Sequence, residues 1–413
     1  MITPCPAMAH PQRKPGDFLL EAASLSSKRG AMKIALVCTG LGNVRRGYEK
    51  FTEELFRLLR DDVDITLFKG GGRSAEGEVV IPNLRRDGWF RHVPFVKSDG
   101  YRDAYYYEVL SFGAVLLPHL MSGKYDILHY VDPTLGNLYF HTRSAFRFEF
   151  RFKTLLTNAI ALPPEHCARA NYVHHASPVQ HGQCLLSGFA EERMALIPLG
   201  VNAKAYQSPS DRLDLRRRWD IPQDKFVILA VAAINRGHKR VDYLIEETAK
   251  LGPECFLVVV GHLEDPSLVA TAADRLPARH KMITRPLYGE IAELYGLADV
   301  AVSASLTEGF GLGIVEAMCS GLPVLTHDNT HFRWLAGQNS CHVDMEQPGA
   351  LAARLRQLSA DREGTRQLGE SLRGHACQRF DWSNLKKDYI DMYSRIYEQS
   401  KSNCKSKTGQ QRA

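Results

Sequence analysis

The chain has 413 residues, enough for two or three domains, and a content of 44% apolar and 24% charged residues excludes a disordered protein. The net charge of +6 comes from the ends, because residues 1–31 hold four basic and two acidic side chains and residues 401–413 hold four basic and none acidic. Overall charge therefore gives no support to a nucleic-acid-binding protein, and nine cysteines without a Cys-x-x-Cys pair argue against a disulfide framework or a zinc site.

Short apolar segments alternate with helical patterns in the first half of the chain. Residues 33–38 predict a buried strand, and residues 1–31, which show no strand pattern, are expected to form a disordered extension. Residues 48–60 carry apolar side chains at helical spacing. Further apolar runs predict strands at residues 63–68, 126–130 and 153–157. This alternation indicates βα units and a parallel sheet.

A second series of the same kind begins at residues 226–231. A stretch rich in Ser, Pro and charge at residues 203–222 separates the two series and suggests a linker. Strands are then predicted at residues 255–260, 299–303 and 322–326. The simplest fold class is therefore α/β, with two Rossmann-like domains that face each other. The predicted boundaries are 32–205 for the first domain, 206–382 for the second and 401–413 for a basic disordered tail.

Aromatic and charged residues alternate between residues 146 and 153. One interpretation is an interfacial patch that touches lipid or an aromatic acceptor. The other is a half-buried strand or sheet edge with solvated charges, which this alternation favours.

The loop after the first strand, residues 39–47, contains Gly40, Gly42 and Gly47 and precedes a helix. Such a turn lets backbone N–H groups approach an anion at the helix start, although an ordinary strand-to-helix turn remains the alternative. The glycine spacing is too long for the dinucleotide fingerprint, and no acidic residue follows at the required distance. This argues against a dehydrogenase.

The loop after the first strand of the second series, residues 233–240, carries Arg236, Lys239 and Arg240. Open α/β sheets bind ligands at the carboxyl ends of their strands. Two or three cations at that edge suit a phosphate or diphosphate, and a solvated loop is the alternative.

A glycine-rich loop, residues 306–312, follows the third strand of the second series and opens a helix. Glu308 lies in the loop and Glu316 in the first turn of the helix. Carboxylates at a helix start complement the helix dipole, but beside a phosphate site they can also accept hydrogen bonds from sugar hydroxyls.

These residues resemble those of family 4 retaining glycosyltransferases, which have the GT-B fold. Glu308 and Glu316 stand in the E-x7-E arrangement of that family, with Gly-Phe-Gly between them. Weaker matches begin at Gly47, Leu196, His238 and Phe380. The resemblance covers residues 32–400 and implies that a final helix, residues 383–400, crosses back to complete the first domain.

The resemblance implies a role for each residue of a donor site. Glu316 is expected to hold the ribose hydroxyls of a nucleotide, and Glu308 the hydroxyls of the donor sugar. Arg236 and Lys239 are expected to neutralise the departing diphosphate. The other implied donor-binding residues are Gly47, Phe310, Gly311 and Leu312, with residues 285–288 near the base.

The acceptor side departs from the family pattern. Many members have a histidine after the strand that corresponds to residues 153–157, whereas this chain has Asn158. An amide cannot act as an acid or base near neutral pH, although it can orient a hydroxyl. His129 and His166 are the candidates for a substitute, and a structural role is the alternative for each.

The sequence thus predicts an enzyme that moves a sugar from a nucleoside diphosphate to an acceptor hydroxyl with retention. The expected partners are a nucleotide sugar and an acceptor glycan or lipid-linked sugar. No Asp-x-Asp motif precedes the site, so no metal and no other cofactor is expected. A cytoplasmic location is expected, with peripheral contact with the membrane as a further option. The alternative is a non-catalytic subunit that binds a sugar nucleotide.

Overall fold

In the computed structural model the described residues are 32–410, except 45, 94–95, 97–102, 147–148, 161, 207–210, 285–288 and 338–340. For residues 91, 146, 341 and 402–410 the description is limited to the backbone. Within these ranges the chain forms two parallel sheets flanked by helices, which confirms the α/β class. The expected extension at residues 1–31 and the base-binding segment at residues 285–288 lie outside the described residues.

The first sheet has seven strands in the spatial order β3-β2-β1-β4-β5-β6-β7. Its central strands are apolar and buried on both faces, as expected for parallel strands covered by helices on both sides. Their bounds are β1 Lys33–Cys38, β2 Asp64–Lys69, β3 Glu78–Val80, β4 Ile127–Tyr130, β5 Lys153–Asn158, β6 Tyr172–His175 and β7 Met194–Leu196.

The second sheet has six strands in the order β10-β9-β8-β11-β12-β13. Both sheets have the same strand order. In each, strands are added on one side of the first strand and then on its other side, and this switch leaves a crevice at the carboxyl ends of the strands. The bounds are β8 Phe226–Val231, β9 Cys255–Val260, β10 His280–Ile283, β11 Val300–Val302, β12 Val324–His327 and β13 Cys341–Val343.

The helices connect successive strands and pack on both faces of each sheet. Their bounds are α1 Gly47–Leu59, α2 Ala104–Gly123, α3 Pro133–Phe146, α4 Pro164–Cys167, α5 Pro178–Leu186, α6 Arg212–Arg218 and α7 Val241–Ala249. In the second half they are α8 Ser267–Arg275, α9 Glu290–Gly296, α10 Leu312–Cys319, α11 Thr330–Ala336, α12 Ala350–Ala360, α13 Arg362–Phe380 and α14 Trp382–Gln410. Among the described residues, no helix has the length and apolar character needed to cross a bilayer.

The last helix returns to the first domain, as the GT-B resemblance implies. The indole Nε1 of Trp382, at the start of α14, donates to Glu54 of α1 at 2.7 Å. Further along α14, the hydroxyl of Tyr393 lies 2.6 Å from Nδ1 of His129 in β4. One continuous cluster of buried apolar side chains extends through both domains. The helix also continues to residue 410, whereas the sequence analysis places the start of a disordered tail at residue 401.

The described end of the aromatic segment, residues 149–153, resembles a covered sheet edge more than a lipid-binding patch, and residues 147–148 lie outside the described residues. Its described aromatic rings, Phe150 and Phe152, stack on each other with centroids 4.8 Å apart. Phe152 is buried, and Phe150 packs against Tyr139 of α3. These two aromatic side chains therefore face the core of the first domain.

Candidate active site

The glycine-rich loop before α10 lies directly against the first domain. A Cβ atom on Gly309 would fall 1.7 Å from the carbonyl oxygen of Ala159, so only glycine permits this approach. The side-chain Nε2 of Gln180, in α5, donates to the carbonyl oxygen of Gly309 at 2.7 Å. The two domains therefore meet at the carboxyl edges of their sheets, where open α/β folds bind ligands.

A histidine fixes the next residue of the same loop. His331 Nε2 donates to the carbonyl oxygen of Phe310 at 2.9 Å, and its Nδ1 accepts from the hydroxyl of Ser177 in the first domain at 3.0 Å. Burial lowers the pKa of His331, so the ring is neutral and keeps this pattern of one donor and one acceptor. Gln180 and His331 were not found from the sequence, because neither belongs to a recognisable motif.

The loop offers its backbone to a ligand, because its one aromatic side chain, Phe310, is buried. The ring of Phe310 is buried beside Trp334 and Phe380. Gly311 has a φ of +98°, the left-handed conformation that glycine adopts without strain, and α10 begins at Leu312. The N–H groups of Ile314 and Val315 donate to the carbonyl oxygen of Gly311, and the N–H groups that precede them lie where a helix start can bind an anion.

Lys239 and Glu308 are brought together at this edge. Lys239 Nζ lies 2.5 Å from Glu308 Oε1, and the side chains are 22% and 11% exposed. His238 Nε2 donates to the carbonyl oxygen of Thr307 at 2.9 Å and lies 3.9 Å from Glu308 Oε2. The two loops that carry the cations and the first glutamate therefore form one surface.

Arg236 and Arg240 turn away from Glu308. Arg236 donates to Asp265 at 2.9 Å and to the hydroxyl of Ser267, at the start of α8. Its side chain is 45% exposed, so this pair is weak and can be exchanged for a ligand. Arg240 donates to the carbonyl oxygen of Met345 at 3.1 Å and lies over the ring of Tyr243.

Glu316 is held by residues from both domains. Its Oε1 accepts from Lys50 Nζ of α1, and its Oε2 lies 3.0 Å from the hydroxyl of Tyr295 in α9. A Cβ on Gly47, at the start of α1, would touch the side chain of Leu312 at 3.3 Å. The structure thus places the first turn of α1 beside the first turn of α10. Lys50 and Tyr295 were missed from the sequence, where no spacing links them to Glu316.

His129 and Asn158 have structural partners in the first domain. Both ring nitrogens of His129 are engaged, Nδ1 with Tyr393 and Nε2 with the hydroxyl of Thr157 at 2.6 Å, and the residue is fully buried. Burial holds its pKa well below the usual range. Asn158 Oδ1 accepts from the backbone N–H of Leu162 at 3.1 Å, and its amide faces Cys167. Neither side chain is left for an acceptor.

His166 lies on the short helix α4 and is partly exposed. Its Nδ1 is buried and has no hydrogen-bond partner within the described part of the chain. Of the three acceptor-side candidates, His166 is the one whose side chain is partly exposed, whereas His129 and Asn158 are buried.

A group of buried polar atoms at the ends of β1 and β4 was not found from the sequence. The hydroxyl of Thr39 and Oε2 of Glu49 are buried without a partner among the described residues. Asp132, two residues beyond the end of β4, accepts from the backbone N–H of Thr134 at 2.9 Å, and burial raises its pKa. An acidic residue just beyond the carboxyl end of a strand, where open α/β sheets bind ligands, was the signal that could have identified Asp132.

The fold and this edge define the class of protein. Sucrose-phosphate synthase from Thermosynechococcus elongatus has a similar structure, with a TM-score of 0.73 and 19% identity over 89% of this chain and 99% of that one. Anabaena Alr3699/HepE, solved in complex with UDP and glucose, has a TM-score of 0.69 and 18% identity, with coverage of 88% and 99%. The chain therefore has the fold of GT-B glycosyltransferases.

The sequence comparisons show which proteins the chain resembles. Residues 211–375 match the family model described as "Glycosyl transferases group 1". EpsD of Bacillus subtilis is 30% identical over 203 residues, which are 48% of this chain and 53% of EpsD. D-inositol 3-phosphate glycosyltransferase of Streptomyces bingchenggensis is 28% identical over 50% of this chain and 49% of that protein. The chain thus matches about half the length of these relatives, and the predicted resemblance to GT-B glycosyltransferases is confirmed.

Proposed function

We propose that this protein is a retaining family 4 glycosyltransferase that moves a sugar from a nucleoside diphosphate to an acceptor hydroxyl in glycan biosynthesis, without a metal ion. The observation that carries the proposal is the Lys239–Glu308 pair beside the start of α10, at the edge where the two domains meet. The GT-B fold and the group 1 match of residues 211–375 support the donor class. The acceptor is a glycan, a lipid-linked sugar or a small molecule.

In the proposed reaction the bond between the anomeric carbon and the diphosphate oxygen breaks, and the acceptor oxygen attacks from the same face. The acceptor proton passes to the departing diphosphate. Negative charge grows on the diphosphate, and Lys239 and the first N–H groups of α10 stabilise it. Arg236 joins them by exchanging its exposed partner Asp265 for phosphate oxygens, which costs little at such exposure.

Glu308 and Glu316 orient the donor in this proposal. Each carboxylate accepts charge-assisted hydrogen bonds, Glu308 from the sugar and Glu316 from the ribose. In this proposal Asp132, a buried carboxyl group of the first domain, lies on the acceptor side. Closure of Gly309 on Ala159 excludes water and limits hydrolysis of the donor.

In the proposed metal-free mechanism, Lys239 and Arg236 supply the positive charge that a metal ion would otherwise provide. Within the described ranges, no three or more His, Cys, Asp and Glu side chains are grouped as metal ligands would be. A cytoplasmic location is part of the proposal, because the described cysteines are free thiols and suit a reducing compartment. Peripheral contact with an anionic membrane would depend on the basic ends, and sedimentation with anionic vesicles tests it.

The alternative is a subunit that binds a sugar nucleotide without transferring it. The commitment of Asn158 to the loop at Leu162, and the absence of a histidine there, favour this alternative. The Lys239–Glu308 pair favours the enzyme, since a pure binding protein does not need a cation placed at the leaving group.

The deciding experiment has two stages. Thermal shift with a panel of nucleotides and nucleotide sugars identifies the base, and transfer of radiolabelled sugar to candidate acceptors or water then measures catalysis. Glu308→Gln is compared with Glu264→Gln, which changes an exposed carboxylate that bonds Asn235. Turnover that is lost in the first variant and kept in the second supports the enzyme. Tight donor binding without turnover on any acceptor supports the binding subunit.

A further inference from the structure

Lys50 crosses from one domain to the other. It lies in the first turn of α1, and its Nζ forms an ion pair with Glu316 of α10, 266 residues away. The two side chains are 12% and 8% exposed, so the pair is largely removed from water. A desolvated pair of this kind is strongly directional, and losing one member leaves a buried charge.

The pair leaves Glu316 little room for a ribose. Lys50 occupies Oε1 and the hydroxyl of Tyr295 lies against Oε2. Because the carboxylate is 8% exposed, ribose hydroxyls reach it only when Lys50 moves away. Lys50 and a nucleotide therefore compete for the same acceptor atom.

Lys50 also contacts the segments that join the domains. Its Nζ bonds the hydroxyl of Tyr206, in the 3-10 turn Ala203–Tyr206 that follows the first sheet. It lies 4.0 Å from Glu54, which accepts from Trp382 at the beginning of the returning helix α14. Lys50 thus bonds one segment that joins the domains and is linked to the other through Glu54.

We propose that Lys50 is a latch that closes the nucleotide-free protein and is displaced from Glu316 by the ribose. The proposal rests on the proposed function, in which Glu316 binds the nucleotide. When Lys50 leaves Glu316, Glu54 stays within reach on the same helix, so the ammonium group keeps an ionic partner. The apparent affinity for the nucleotide is then the intrinsic affinity multiplied by the fraction of molecules in which Lys50 has left Glu316.

The opposite role is a purely structural ion pair. Removing a structural pair weakens the site, because Glu316 loses the partner that orients it. Removing a latch tightens nucleotide binding, because the competitor is gone. The sign of the change in affinity therefore distinguishes the two roles, and general structural damage does not imitate a gain in affinity.

The test measures UDP, GDP and ADP binding by calorimetry for the wild type, Lys50→Met, Lys50→Gln and Lys50→Arg. For the preferred nucleotide we expect Kd to fall about 10-fold in Lys50→Met and Lys50→Gln, within the usual range of couplings between sites. Lys50→Arg keeps the ion pair and the wild-type Kd. The matched control is Lys69→Met, since Lys69 is also 12% exposed and pairs with Glu78 inside the first domain.

Small-angle scattering without nucleotide gives a second readout. A larger radius of gyration in Lys50→Met than in Lys69→Met supports the latch, and an equal radius overturns it. Unchanged or weaker nucleotide binding in both Lys50→Met and Lys50→Gln also overturns the latch, while binding by the wild type leaves the proposed function standing. If neither the wild type nor any variant binds a nucleotide, the proposed function fails.

Discussion

Lys239→Ala is the most informative test of the proposed chemistry. The substitution removes the cation that lies 2.5 Å from Glu308 and beside the start of α10. In the transition state the diphosphate carries more negative charge than in the bound donor, so Lys239 gains interaction energy during the step. We therefore expect kcat to fall sharply and KM to change less.

The magnitude follows from exposure and chemistry together. Lys239 is 22% exposed, so loss of its ion pair should cost at most about 1 kcal/mol of folding free energy. Loss of one preorganised donor to a developing charge costs about 10²–10³ in rate. Because Glu308 loses the cation that orients its carboxylate, its hold on the sugar weakens as well. The combination with Glu308→Gln should therefore be less than additive.

The assay measures kcat and KM for the donor at saturating acceptor, with thermal unfolding as the control for folding. Lys239→Arg should recover part of the rate, because a planar guanidinium does not replace a point charge. Arg240→Ala should lower the stability and leave kcat close to wild type, since Arg240 bonds Met345 and lies over Tyr243. A severe loss in Arg240→Ala with near-normal Lys239→Ala would refute the assignment of the diphosphate contact.

Four further outcomes are expected. Glu316→Ala should weaken nucleotide binding by about 1.5–3 kcal/mol in calorimetry, measured in a Lys50→Met background to separate the ribose contact from the latch; equal affinity removes Glu316 from the site. Activity should survive EDTA and dialysis, and its loss with recovery in Mg²⁺ or Mn²⁺ contradicts the metal-free mechanism. The free energy of unfolding should fall as the pH drops from about 6.5 towards 4, because burial lowers the pKa of His174 to about 4 and the unfolded chain takes up the proton first. Denaturant unfolding at a series of pH values checks this, and His174→Gln should reduce the slope of the free energy against pH by up to about 1.4 kcal/mol per pH unit. Gly309→Ala should keep nucleotide binding and lose transfer, because its Cβ collides with Ala159 when the domains close; normal turnover would exclude this closed form from the reaction.

Much of the framework could be predicted from the sequence because apolar runs dictate buried parallel strands. The runs at residues 226–231 and 255–260 coincide with β8 and β9, and the first run coincides with β1. The short strands β3, β6, β7, β10 and β13 escaped prediction. Each has three or four residues, too few for a periodic pattern, and their neighbours in the sheet determine them.

The loops of the candidate site could also be located, since parallel strands present their carboxyl ends at one edge. The pairing of Lys239 with Glu308 followed this rule, because both loops leave neighbouring strands of one sheet. The direction of Arg236 did not follow from it. Asp265, Ser267 and Thr271 hold its guanidinium, and this set of partners depends on the start of α8.

The contacts between the domains were beyond sequence reasoning. Lys50 and Glu316 are 266 residues apart, and their pairing depends on the angle at which the domains close. The environment of His129 also depends on a long-range contact that the sequence does not predict. A histidine at a strand end suggested an acceptor site, but the returning helix α14 covers it with Tyr393 and makes it part of the core.

The two glutamates of the E-x7-E arrangement pair with lysines from different domains, so we expect them to respond differently to domain closure. Glu308 pairs with Lys239 in its own domain, so that part of the donor site exists whether the domains are open or closed. Glu316 pairs with Lys50 of the other domain, so its environment changes with closure. Diphosphate contacts can therefore form before Lys50 is displaced, and the ribose contact is the one that depends on the domain angle. Coupling between nucleotide binding and closure then needs no signal transmitted through the core, because one lysine and one ribose compete for the same carboxylate.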